Sequence, residues 1–122
     1  MKKMAILSTG PIENNPVSGV RPTQQVTIRL VSRAEVDSVT VSIQGYVLST
    51  TRTLYVSEVI SIAPNEAVTR NYFADLDAFE FVFGTDVEGV EEVEISVWGK
   101  QASGQLVDAH RVVEHEKTVN NI

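Results

Sequence analysis

The chain reads as all-β, a single antiparallel β-sandwich of about seven or eight strands preceded by an extended N-terminal arm. Three observations carry that expectation. Twenty of the 122 residues are Val, with ten Thr and ten Ser beside them, a β-branched, hydroxyl-rich make-up that suits a pleated, half-buried surface better than a helix. From Gln25 onward apolar residues recur at every second position, the period of a strand with one face on a core. Three of the four prolines, Pro11, Pro16 and Pro22, fall in the first 22 residues among Gly10, Gly19, Asn14 and Asn15, which excludes helix there and disfavours a central strand.

These observations divide the chain into an arm at residues 1–22, a sandwich at 23–116 and a tail at 117–122. In the sandwich, Val26, Ile28 and Leu30 alternate with Thr27, Arg29 and Val31. Next, Val39, Val41, Ile43 and Val47 form a second apolar row, broken at Gly45, where a bulge or a close backbone approach is expected. The third strand carries Leu54, Val56, Ile60 and Ile62 inward, with a bulge near residues 57–59 expected to turn Glu58 out. Pro64 and Asn65 give a turn with Pro at its favoured position. Val68, Arg70 and Tyr72 oppose Thr69, Asn71 and Phe73 in the fourth strand. Phe79, Phe81 and Phe83 share one face of the fifth, so three rings are expected to dominate the core. Val93, Ile95 and Val97 form the sixth, and Ser103-Gly104 turns the chain into a seventh strand over residues 106–114. Residues 117–122 read as a frayed tail. Whether the connections are immunoglobulin-like or jelly-roll is not legible in this pattern.

Charge and composition exclude several functions. With a net charge of −6 and a pI near 4.8, and no Lys/Arg cluster interleaved with aromatics, the chain is expected to repel a phosphate backbone, so nucleic acid is not an expected partner. It has no cysteine, hence no disulfide, thiolate metal site or thiol nucleophile. No apolar run approaches the ~20 residues of a membrane span. The basic start followed by an apolar run that ends at Leu7 is too short for a signal-peptide core of ~7–15 residues, so synthesis without a cleavable signal is expected.

No catalytic or metal constellation emerges, and neither an enzymatic activity nor a cofactor is expected. His110 and His115 lie five residues apart on one strand and would point to opposite faces. Asp75, Asp77, Glu80, Asp86, Glu88, Glu91, Glu92 and Glu94 make up half of the sixteen acids. Asp75/Asp77 or Asp86/Glu88 could offer calcium its oxygen ligands, but without EF-hand spacing a solvated acidic edge is the favoured reading. Glu92 and Glu94 share a strand face, yet short loops leave little room for a glycosidase cleft. Trp98, Tyr46, Tyr55 and Tyr72, if exposed together, would stack on sugar, which makes a ligand- or glycan-binding adhesion module the alternative to the reading that follows.

The arm is the most informative segment. Fully extended, 22 residues reach at most ~70–80 Å, enough to cross a neighbouring subunit, and Ile6, Leu7, Ile12, Val17 and Val20 are spaced along it like anchors. Burial gains roughly 1.5–3 kcal/mol per aliphatic side chain against about 1–2 kcal/mol per ordered backbone residue, so docking needs main-chain pairing to a sheet edge as well. Pairing with another copy would propagate head to tail; folding back onto its own sandwich is equally open to it.

Residues 5–23 (AILSTGPIENNPVSGVRPT), 51–56 (TRTLYV), 76–83 (LDAFEFVF), 94–100 (EISVWGK) and 104–107 (GQLV) resemble a family of short proteins from spore-forming Bacillus-type bacteria, associated with subunits of the fine appendages of the exosporium. The resemblance runs from about Ala5 to Val113. It implies jelly-roll subunits stacked head to tail into a fibre on the spore surface, each arm inserted into the next subunit, with Ile6, Leu7, Ile12 and Val17 as anchors. It also implies homopolymer contacts and possible contacts with other spore-surface proteins. The sturdier class of such appendages uses arm cysteines for cross-links; this chain has none, so a fibre here is expected to be non-covalent.

Overall fold

A computed structural model describes residues 2–86, 92–114 and 119–121. Eleven strands are found among them: β1 (Lys2–Ser8), β2 (Ile12–Glu13), β3 (Gln25–Ser32), β4 (Val39–Leu48), β5 (Arg52–Ile62), β6 (Ala67–Phe73), β7 (Ala78–Asp86), β8 (Val93–Lys100), β9 (Leu106–His110), β10 (Val113–Glu114) and β11 (Val119–Asn121). They form two antiparallel sheets packed as a jelly-roll-like sandwich. The larger runs β10-β1-β7-β4-β5, with β11 paired to β1 and β2 to β7; the smaller runs β6-β3-β8-β9.

The seven strands expected from the period-two pattern are all present, because alternation fixes which face is buried and so fixes register. The inner faces meet in one core of Val26, Ile28 and Leu30 from β3, Val41 and Ile43 from β4, and Phe79, Phe81 and Phe83 from β7, all essentially inaccessible to solvent. Phe81 sits at the centre of an aromatic group, its ring centroid 6.0 Å from Phe79, 6.2 Å from Tyr55 and 5.6 Å from Tyr72.

Gly45 makes room for that ring. A Cβ there would lie 2.9 Å from Phe81 Cε1 and 3.0 Å from Val56 Cβ, and the β4–β5 register shifts between Gly45 and Tyr46. The expected bulge and close approach therefore coincide. The extra residue on β5 is Tyr55, not one of 57–59. Tyr55 and Val56 consequently both lean inward, and Leu54, expected in the core, is exposed. Glu58 does not turn out to solvent either: it accepts hydrogen bonds from Arg70 Nε (2.7 Å) and the Tyr72 hydroxyl (2.6 Å).

Local turn chemistry follows the sequence. Ala63 to Glu66 closes a turn with Pro64 and a left-handed Asn65 (φ 61°) in its centre, the geometry of a type II turn. Gly104, with φ at 93°, turns β8 into β9. The seventh expected strand is split into β9 and β10. At the C-terminus, β11 pairs with β1, so residues 119–121 are part of the larger sheet and not frayed.

Candidate functional site

The N-terminal segment is the site the sequence singled out. It is neither free nor extended away: β1 lies in the larger sheet of its own chain, antiparallel to β7 from Met4 opposite Asp86 to Ser8 opposite Val82. Within the single chain the arm thus forms a built-in strand, the fold-back arrangement that the sequence left open beside pairing with another copy. All three of its prolines lie beyond β1, which leaves that strand every backbone donor it needs.

Past β1 the segment is fastened at successive points. Ser8 Oγ donates to Glu80 Oε2 (3.0 Å) and accepts from the Gly10 N–H. Glu80 in turn holds Arg52, whose guanidinium lies 3.5 Å from the Tyr46 ring centroid. Ile12 pairs with Phe79 through β2 and enters the core. Asn14 is the strongest fastening. Almost fully buried, it donates through Nδ2 to the carbonyls of Thr23 (2.7 Å), Ala74 (3.2 Å) and Leu76 (3.0 Å) and accepts the Thr23 N–H at 2.9 Å. One side chain so satisfies the turn after β6 and both ends of the connector, the accounting that buried backbone demands. Arg21 closes the region on Asp77 (2.8 Å) and Asp75 (3.2 Å).

The five proposed anchors divide. Ile12 is in the core and Leu7 packs against it opposite Phe83; Ile6 is half-buried on the outer face opposite Gly84. Val17 and Val20 stay outside the core: they are 66% and 58% exposed at the ends of a two-residue turn in which Ser18 and Gly19 both have positive φ (52° and 83°), closed by reciprocal Val17–Val20 hydrogen bonds. Ala5, Ser8, Asn14 and Thr23, all buried, were not singled out. The one available signal was Asn14 itself, taken in the sequence only as one of the residues that exclude helix, whereas it is a backbone clamp.

The other candidates disperse. Asp75 and Asp77 converge on Arg21, and Glu94 is held by Arg33 at 2.8 Å; Glu88 and His115 lie outside the described residues. No group of three or more acids or histidines among the described residues could share an ion. His110 faces inward beside Gly99, its Nε2 buried without a partner, and burial lowers its pKa. The four rings proposed for sugar stacking do not gather. Tyr55 and Tyr72 lean on Phe81, burial pushing the Tyr55 hydroxyl up to about 12; Tyr46 carries Arg52 on the larger sheet, leaving Trp98 on the smaller.

No family model matches the chain. No curated protein matches it either. Among solved structures it is similar to Thermotoga maritima 1070 (TM-score 0.50, 9% identity, covering 93% of this chain and 90% of that one). It is also similar to the Anabaena sensory rhodopsin transducer (0.45, 10%, 80% and 93%) and to a CBM4 structure (0.42, 12%, 80% and 73%). At 9% identity the likeness to the first is one of fold alone, and the other two, below a TM-score of 0.5, carry no argument.

Proposed function

We propose that the protein is a non-catalytic structural subunit that self-assembles, without covalent cross-links, by exchanging its N-terminal segment between copies. The supporting observation is the segment's construction. β1 is held by main-chain pairing to β7 on one side and to β10 and β11 on the other, with a few side chains, and it is joined to β3 through a turn whose two valines are largely exposed. Main-chain pairing is indifferent to which copy supplies the strand, so β1, β2 and Asn14 of one molecule can fill the same places in the next.

The hinge is residues 15–22. Opened from its turn, this stretch of eight residues spans about 26–29 Å at 3.3–3.6 Å each, enough to carry β1 to an adjoining sandwich. Pro16 and Pro22 favour the extended form and lower the entropy lost on docking. A strand passed from each copy to the next gives a heterologous contact, which builds an open fibre unless the rotation closes a ring. Resemblance to the exosporium appendage subunits makes the spore surface the proposed location, with the homopolymer as principal partner and other spore-surface proteins as candidate attachments.

A reversible lock tests the mechanism. Ala5 and Thr85 are small, buried and directly opposite each other in the β1–β7 pair, where Cβ atoms stand about 4.5–5.5 Å apart, close to disulfide geometry. In a chain with no native cysteine, Ala5→Cys with Thr85→Cys should stay monomeric when oxidised and assemble once reduced. Identical fibres by negative-stain microscopy in both states would refute strand exchange.

A further inference from the structure

The outer face of the smaller sheet carries a second feature, independent of the N-terminal segment. Alternation turns Thr27 and Arg29 of β3, Ser96, Trp98 and Lys100 of β8, and Leu106 of β9 to the same side, where they line a depression of about 370 Å3. Trp98 stands in the middle, opposite Thr27 on one neighbour and Ala109 on the other. It is 37% exposed, and its Nε1 donates to Ser96 Oγ at 3.0 Å. That bond fixes the indole while leaving ring surface open. Across the Thr27–Asn71 hydrogen bond (2.6 Å) a second depression of about 410 Å3 adjoins, with Gln25, Asn71, the 62% exposed Phe73 and Asp75, whose carboxylate Arg21 holds, in its wall.

Two cations on this face, like Arg111 elsewhere, have no carboxylate partner among the described residues. Arg21, Arg33, Arg52 and Arg70 each hold a carboxylate. The two are Arg29 and Lys100, in a protein of net charge −6, and Glu94, which shares their strand face, is taken by Arg33. The two cations flank Trp98: Lys100 is two residues along β8, and Arg29 sits opposite Ser96, two residues the other way. Four residues of strand at about 3.4 Å and one strand spacing of about 4.8 Å put their backbones roughly 14 Å apart, a span that takes more than one pyranose ring.

We propose that this face binds an acidic saccharide, a uronate-bearing oligosaccharide. One sugar ring lies on the Trp98 indole, and its neighbours' carboxylates are held by Arg29 and Lys100. The Ser96 hydroxyl and the amides of Asn71 and Gln25 receive the sugar hydroxyls, while the buried Thr27 hydroxyl holds Asn71 in place. A neutral glycan would leave both cations without counter-charge. A nucleic acid would meet the same two cations and the same net charge of −6, so the titration below, and not charge, separates it from the saccharide.

Trp98 is the single tryptophan of the sequence, so its fluorescence reports on the site directly in the full-length protein. Titration with oligogalacturonate should give a saturable change that weakens at least tenfold in Arg29→Gln and in Lys100→Gln, both checked for native circular dichroism. Raised salt should weaken it in the wild type. A neutral galacto-oligosaccharide of equal length should give no saturable change. Equal binding of the neutral sugar would overturn the carboxylate assignment, and equal binding of polyglutamate or a single-stranded oligonucleotide would reduce the face to a non-specific charge patch. No saturable response to oligogalacturonate would remove the site altogether. None of these outcomes depends on whether β1 exchanges between copies.

Discussion

The buried Thr85 and the half-buried His110 each have a buried side-chain polar atom without a partner. The Thr85 hydroxyl faces Ala5 across the β1–β7 pair, and an unsatisfied buried hydroxyl costs about 1–3 kcal/mol. Thr85→Val, which keeps the branch and removes the polar atom, should stabilise the protein by about 1 kcal/mol, seen as a rise in Tm of several degrees. His110 gives a pH dependence of definite sign. Burial favours its neutral form and lowers its pKa, with Asp108 opposing weakly. Between that lowered value and the ordinary 6.5 the unfolded chain binds more protons than the folded one, so stability rises with pH across this window and is lost as pH falls through it. Urea midpoints at pH 7.5 and 5.5 should differ for the wild type and converge in His110→Leu. Asn14 sets the opposite case, a fully partnered buried amide; Asn14→Ala takes the side-chain partner from the Thr23 N–H and from the Thr23 and Leu76 carbonyls, Ala74 keeping the Leu76 N–H, and should cost about 2–4 kcal/mol in chemical denaturation.

At the scale of the element, β4 and β5 turn on one missing side chain. Gly45 gives the Phe81 ring its place, and the bulge that puts Tyr55 beside Val56 brings a second ring to the same centre. Gly45→Val should destabilise by more than about 2 kcal/mol, since neither a core ring nor a neighbouring backbone can retreat from a branched side chain without strain. A thermal melt of the variant is the check. A gap in an apolar row is visible in the sequence, so Gly45 was legible as a bulge or close contact. The position of the extra residue was not, because a bulge can be taken up on either strand and only the cross-strand register decides. The same register explains why Leu54 is exposed and why Glu58 meets Arg70 and Tyr72. Those two donors hold the Glu58 carboxyl below its usual range, so its small contribution is present above the ordinary carboxylate pKa and lost as pH falls.

For the whole molecule the N-terminal segment decides what kind of object the protein is. Docked on its own β7 it completes a monomer with β10 and β11 along its far edge; passed to a neighbour it completes a link. In the exchange proposed above both arrangements would make the same bonds, so their balance would rest on hinge strain and protein concentration. The fraction assembled should therefore rise steeply with concentration. It should also rise when the turn is disfavoured: Gly19→Val strains a position at φ 83° and should shift the population towards assemblies by light scattering. Unchanged scattering in that variant would count against residues 15–22 as the hinge.

The sequence by itself determined the class of fold, seven of its strands, the three-ring core and the turns at Pro64-Asn65 and Ser103-Gly104, because alternation and turn chemistry are local and leave their mark residue by residue. Only the tertiary structure decided that residues 2–8 are a strand of the chain's own sheet, that residues 119–121 pair with them, and that Asn14 is the clamp. A backbone donor pairs with whatever edge is brought to it, and no local pattern names that edge. The outer face built from Trp98, Arg29 and Lys100 was dispersed along the chain for the same reason, and became one surface only when β3, β8 and β9 were set side by side.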